Sequence, residues 1–266
     1  MDVAEAMAPL ESGYELLLAK VRAVVEPDPE VRALWLAGSL GRGAADAGSD
    51  LDLIVTVTAP DRFADPDIWR SLDPVITTPL PGMVGCFAFT TRSGLRVDVV
   101  VEGVDDLPRT GARQRIAVFN RDGLTVPPPS PGVGPDLDRM QAIVTEYMRQ
   151  GALFPAAVVA REDWLLGQVA VHNYGLMLYE LFVESNRPLP ETGVKRWSDK
   201  LSPQQREVLA SLSPPRAARD EVLAAMKEVR AATSTHGRTA LESAGGTWPT
   251  ELDETVHGYW VRHHLA

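Results

Sequence analysis

The stretch Gly38-Ser39-Leu40-Gly41-Arg42-Gly43-Ala44-Ala45-Asp46-Ala47-Gly48-Ser49-Asp50-Leu51-Asp52-Leu53-Ile54-Val55 decides how this chain folds. Its second half alternates and then becomes continuously apolar, which predicts a buried strand over Asp50–Thr58. Strand side chains repeat every two residues, so Asp50 and Asp52 project from one face. Two carboxylates held that close repel unless a cation lies between them. Its first half is punctuated by Gly38, Gly41, Gly43 and Gly48 and reads as a loop. The apolar run Val31–Ala37 before it predicts another strand. The loop therefore leads out of one buried strand and into another that carries paired acids.

Working outward, Tyr14–Val25 has apolar residues at helical spacing and stops before Pro27. Asp61–Leu72 also reads as a helix. Val84–Thr91 and Leu95–Glu102 predict two strands joined by Arg92-Ser93-Gly94, and Ile116–Asn120 predicts an edge strand. Val126–Pro135 then holds five prolines and two glycines, the composition of a linker. Beyond it strand signals vanish. Helical periods cover Asp136–Gln150, Ala156–Glu184, Pro203–Leu212, Arg216–Ala232 and Glu251–Leu265. The expected organisation is an α/β domain at 1–125 and an all-helical domain at 131–266.

Bulk properties narrow the function. The 266 residues carry a formal net charge of −10. Residues 1–130 hold 19 acids against 12 Lys/Arg, and the remainder 17 against 14. With no basic run, nucleic acid is not the expected partner, whereas an acidic surface suits a cationic ligand. No long apolar stretch predicts a membrane span. The single cysteine, Cys86, excludes an intrachain disulfide and a cysteine-built zinc site. With no signal peptide evident at the start, a cytoplasmic location is the expectation.

The third acid of interest is Asp98, in Arg96-Val97-Asp98-Val99-Val100, which completes a carboxylate cluster if its strand neighbours that of Asp52. Hard oxygen ligands of this kind suit Mg²⁺. Gly38 lets the backbone approach a ligand. The loop N–H groups and the Ser39 hydroxyl suit phosphate oxygens, and Arg42 offers them a charge. Ser49 either donates to the phosphates or holds the loop. No Walker A loop or dinucleotide fingerprint is present.

Gly-Ser, ten residues, Asp-x-Asp on a strand and a later strand Asp together resemble the nucleotidyltransferases of the DNA polymerase β superfamily. The match runs over residues 31–102, through Gly38-Ser39, Asp50-Leu51-Asp52 and Asp98. Within that superfamily the layout looks most like the antibiotic, especially aminoglycoside, adenylyltransferases. The resemblance implies an α+β fold: a catalytic domain of mixed sheet and flanking helices, followed by an all-helical acceptor-binding domain. It also implies Mg²⁺-dependent transfer of a nucleoside monophosphate, AMP from ATP, to a hydroxyl of a small molecule, with pyrophosphate released. Two alternatives stay open: a protein- or RNA-modifying enzyme of the antitoxin type, and a non-catalytic nucleotide-binding module.

Several further residues have competing readings. Asp98 is a metal ligand, the general base or both; Glu102, on the same strand face, is the rival base. Lys195 and Lys200, flanking Arg196 and Trp197, are candidate nucleotide ligands, with Trp197 either stacking on a base or packed in the core. Glu162 and Asp163 suit an acceptor amine, or simply complement a helix N-terminus. Glu180 and Glu184 read as a solvated face, and His172 and Asn173 as satisfied, partly buried helix residues.

Overall fold

The computed structural model describes residues 1–80, 85–107, 114–128, 132–190 and 196–265. The chain divides into two compact units, Met1–Pro131 and Gly132–Ala266. The first is built on a six-stranded mixed sheet and the second is helical, so the fold is α+β.

In the first unit the strands are β1 (Val31–Leu36), β2 (Leu51–Val57), β3 (Pro74–Pro79), β4 (Phe87–Thr91), β5 (Arg96–Gly103) and β6 (Ile116–Asn120), in the order β3-β4-β5-β2-β1-β6. Only β2 and β5 run parallel; the other neighbours are antiparallel. Alternation assigns the two faces. Leu34 and Leu36 of β1, Leu53 and Val55 of β2, and Val97 and Val99 of β5 enter the main core, against Leu17, Val21 and Val25 of the helix Gly13–Val25. Phe63, Trp69, Phe89 and Phe87 extend that core as a chain of rings with centroids 5.8–6.4 Å apart. The opposite face carries a small cluster of Ala33, Trp35, Ala37 and Ile54, with Val100, Leu124 and Val126 packed on it. Asp52 and Asp98 belong to this second face.

Local structure differs from expectation in four places. Asp61–Leu72 is not one α-helix but two 3₁₀ segments, Pro60–Ala64 and Pro66–Leu72. Pro66 lacks an N–H and holds Asp65 extended (φ −83°, ψ 115°), so the helix cannot pass through. Strand β3 had no sequence signal: it is exposed along nearly its whole length and has proline at both ends, as suits a sheet edge. The Gly38–Ser49 loop opens with one helical turn, Gly38–Gly41. The strand expected from Val84 begins at Phe87, Val84 itself lying outside the described residues.

In the second unit the helix Leu137–Phe154 packs against Trp164–Ser185 and Thr250–Arg262, and Trp164–Ser185 against Arg219–Ala232. Its core holds Met140, Tyr147, Tyr174, Met226, Trp248 and Trp260. Trp260 stacks on Phe154 at 5.2 Å, donates from its indole N–H to the Gly151 carbonyl at 2.7 Å, and lies 3.9 Å below the Arg230 guanidinium. The single helix expected over Ala156–Glu184 is interrupted: a π-type turn, Pro155–Val159, precedes a reversal at Glu162 (φ +54°). Glu184 is no solvated residue. It is 2% exposed and paired with Arg187 at 2.7 Å and Arg139 at 3.6 Å. Among the described residues no helix is long and apolar enough to cross a membrane.

Candidate active site

The ladder between β2 and β5 sets Leu51 opposite Val97 and Asp52 opposite Asp98. Residues paired across a parallel ladder share a face and lie about 4.8 Å apart, so the two half-buried aspartates stand side by side. Asp50 sits one residue before β2 and is 8% exposed. Its carboxylate faces Arg96, with Oδ2 and Nη2 4.0 Å apart. That is the next position of the same register, so Asp50, Arg96, Asp52 and Asp98 form a two-by-two array at one end of the two strands. Arg96 escaped the sequence reading, although its place two residues before Asp98 puts it on the same face.

The Gly38–Gly41 turn closes over this array. The Ala37 N–H donates to the Asp52 carbonyl at 2.9 Å. Gly38 has φ +56°, and a Cβ there would lie 1.7 Å from Asp52 Oδ2. Only glycine fits, for two separate reasons: the left-handed backbone and the carboxylate pressed against it. The Ala44 N–H donates to the Ser39 carbonyl at 2.9 Å, fixing the rest of the loop. Ser49 holds the loop as well: its hydroxyl donates to Asp46 Oδ1 at 3.1 Å and accepts the Asp46 N–H at 3.0 Å. Arg42 is half-buried, and its Nε is buried with no hydrogen-bond partner among the described residues. A donor in that state beside a glycine loop is suited to an anionic oxygen.

Glu102 is corrected as the rival base. It is 5% exposed, accepts the Thr56 hydroxyl at 2.8 Å and the Arg115 guanidinium at 2.6 Å, and is thus one half of a buried ion pair. A carboxylate buried against a guanidinium has no exposed oxygen to offer a substrate. Asp98 remains as the accessible acid on β5. The three acids expected to converge are placed in two ways. Among the described residues no group of three or more His, Cys, Asp or Glu side chains forms a ready-made ion site. The pair Asp52–Asp98 is assembled by the ladder, while Asp50 is turned to Arg96. The donor set still fits a hard divalent cation, since it consists of carboxylate oxygens next to a cradle that a Cβ would fill.

The residues expected in the helical half lie as follows. Lys195 is outside the described residues. Lys200 ends a 3₁₀ turn, Ser198–Lys200, and its carbonyl accepts the Asn186 side-chain amide at 2.8 Å. Trp197 is neither core nor isolated: it is 52% exposed and stacks on Tyr179 at 4.4 Å. With His172, Gln168 and Leu209 it lines a pocket of about 620 Å³. His172 and Asn173 are exposed rather than partly buried. Asp163 caps the helix Trp164–Ser185, its carboxylate accepting the Leu166 N–H at 3.0 Å; Glu162 is exposed at the reversal before it.

The sequence matches no protein-family model and no curated protein. Among solved structures the chain is similar to a crystal structure of an aminoglycoside 6-adenyltransferase from Bacillus subtilis. The identity is 12%, with 94% of this chain and 98% of that chain covered, and the TM-score is 0.43.

Proposed function

We propose that this protein is a nucleotidyltransferase that moves AMP from ATP to a hydroxyl of a small-molecule acceptor. The observation that carries the reading is the pairing of Asp52 with Asp98 on adjacent parallel strands, with Gly38 backed against the Asp52 carboxylate. Both strands are otherwise core segments, so two neighbouring acids there are a cost that a structural role does not explain.

In this reading Asp52 and Asp98 would hold Mg²⁺, together with Asp50 at the neighbouring position of the same ladder. When bound, the cation neutralises phosphate charge and favours pyrophosphate as a leaving group. The Gly38–Gly43 backbone and Ser39 hydroxyl seat the triphosphate, and Arg42 supplies its orphaned donor to a phosphate oxygen. Arg96, beside Asp50 and partly exposed, would be a second cation for the same oxygens. Asp98 takes the proton of the acceptor hydroxyl. That oxygen forms its bond to the α-phosphorus in line as the α–β bridging bond breaks, and pyrophosphate carries away the electron pair. Placement and charge complementarity do most of the work.

The acceptor class rests on less. The charge of −10 suits a polycation such as an aminoglycoside. The test is pyrophosphate release from each nucleoside triphosphate with a panel of aminoglycosides and lincosamides. Turnover with one of them, reduced about 10³-fold or more in Asp50→Asn and Asp52→Asn, is the expected result. Near wild-type turnover in folded Asp52→Asn refutes nucleotidyl transfer at this site. Turnover with some other hydroxyl compound, and none with these drugs, removes only the antibiotic acceptor.

A further inference from the structure

On the sheet face that carries the aspartate pair, one buried polar chain links β1, β2 and β5 to the residue just before β6. The Trp35 indole on β1 donates to the Thr56 hydroxyl on β2 at 2.8 Å. Thr56 donates to Glu102 on β5 at 2.8 Å, and Glu102 accepts Arg115 Nη1 at 2.6 Å, just before β6. The Arg115 and Glu102 side chains are 1% and 4% exposed, and the guanidinium also lies 5.6 Å above the Trp35 ring. Apolar side chains of equal volume would hold a sheet together at least as well as a buried ion pair does. What the ion pair adds is direction, because each charge must meet the other at hydrogen-bond distance.

The Gly38–Gly41 turn rests on the backbone next to that arginine. A Cβ on Gly41 would lie 2.4 Å from the Gln114 carbonyl oxygen and 3.1 Å from Arg115 Cα. The backbone at 114–115 is thus both the seat of the glycine turn and the anchor of the guanidinium. Glu102, at the other end of the ion pair, is four residues from Asp98 on the same face of β5.

We infer that Arg115 and Glu102 are positioning residues whose buried pair ties the glycine turn to the strand carrying Asp98. This rests on the proposed nucleotidyl transfer for its consequence, and on the geometry alone for its existence. The pair sets the distance between the phosphate seat and the acid that receives the acceptor's proton.

The test uses the full chain, with Arg115→Lys and the double variant Glu102→Gln/Arg115→Met, which leaves no uncompensated buried charge. Hydrogen exchange is followed at the Gly41, Gly43 and Ala44 amides, all bonded within the turn, with amides of 137–154 as the internal reference. In the unliganded double variant the turn amides exchange about tenfold faster or more while the reference is unchanged. The KM for the nucleotide rises further than kcat falls, and Arg115→Lys restores part of both. A folded double variant whose turn amides keep the wild-type rate, or accelerate only in step with the reference, overturns the inference. If the double variant does not fold, the second neutral pair Glu102→Gln/Arg115→Gln decides by the same local comparison. If the wild type releases no pyrophosphate with any donor and acceptor, the functional reading fails, and the exchange result still decides whether the pair seats the turn.

Discussion

At φ +56°, Gly38 occupies a backbone region that other L-residues enter with strain, and its missing Cβ is the space filled by the Asp52 carboxylate. Gly38→Ala must therefore move either the turn or the acid. We expect about a 10²-fold or greater loss of nucleotidyl transfer, against a stability loss of about 1–3 kcal/mol, read by steady-state assay and urea unfolding. Asp52→Asn acts differently. It removes one of two neighbouring like charges, so the metal-free variant should melt at or above the wild-type temperature. Mg²⁺ should raise the melting temperature of the wild type, with EDTA reversing the rise, and leave the variant unmoved. Identical wild-type melts with and without Mg²⁺ would count against a cation at this pair. At this scale the sequence could list the acids but not separate them. Asp98 and Glu102 share a strand face and a residue class, and only the ladder and Arg115 show one beside Asp52 and the other buried in an ion pair.

Elements follow local rules wherever a local rule exists. β2 and β5 were legible because both alternate around apolar runs, and β6 because the turn residues Asp122-Gly123 follow it. Pro66 broke an expected helix through its missing N–H, and β3 was invisible because an exposed edge strand needs no apolar alternation. Asp163 makes the same point for the helix Trp164–Ser185: of its two readings, acceptor contact or helix N-terminal acid, it takes the second and caps the helix. Asp163→Ala should cost about 1 kcal/mol of stability, and Asp163→Asn or Asp163→Ser should restore most of it. If Asp163→Ala melts like the wild type, the cap contributes nothing.

On the scale of the molecule, each unit has its own apolar core, that of the second holding Met140, Tyr147, Met226 and Trp260. Residues 132–266 expressed alone should therefore give a helical circular dichroism spectrum and a cooperative melt; a broad, non-cooperative melt would show that this core depends on the rest of the chain. Tyr147 in that core supplies a pH test. Burial pushes its hydroxyl up to about 12, above the ordinary value near 10. The folded state thus keeps a proton that the unfolded chain releases first. This contribution is intact below about pH 10 and is lost as pH rises toward 12. Tyr147→Phe should flatten that limb in urea unfolding between pH 9 and 11.5; an unchanged slope would show that the buried hydroxyl does not govern it. The sequence alone determined the fold class and the glycine-rich turn leading into the acid-bearing strand, because strand period, helical period and glycine punctuation act over a few residues. The pairing of Asp52 with Asp98, the neutralisation of Glu102 and the hold of Asp50 by Arg96 were decided only in the tertiary structure. Each depends on which strand lies beside which and in what register, and that is set by burying a whole sheet face at once.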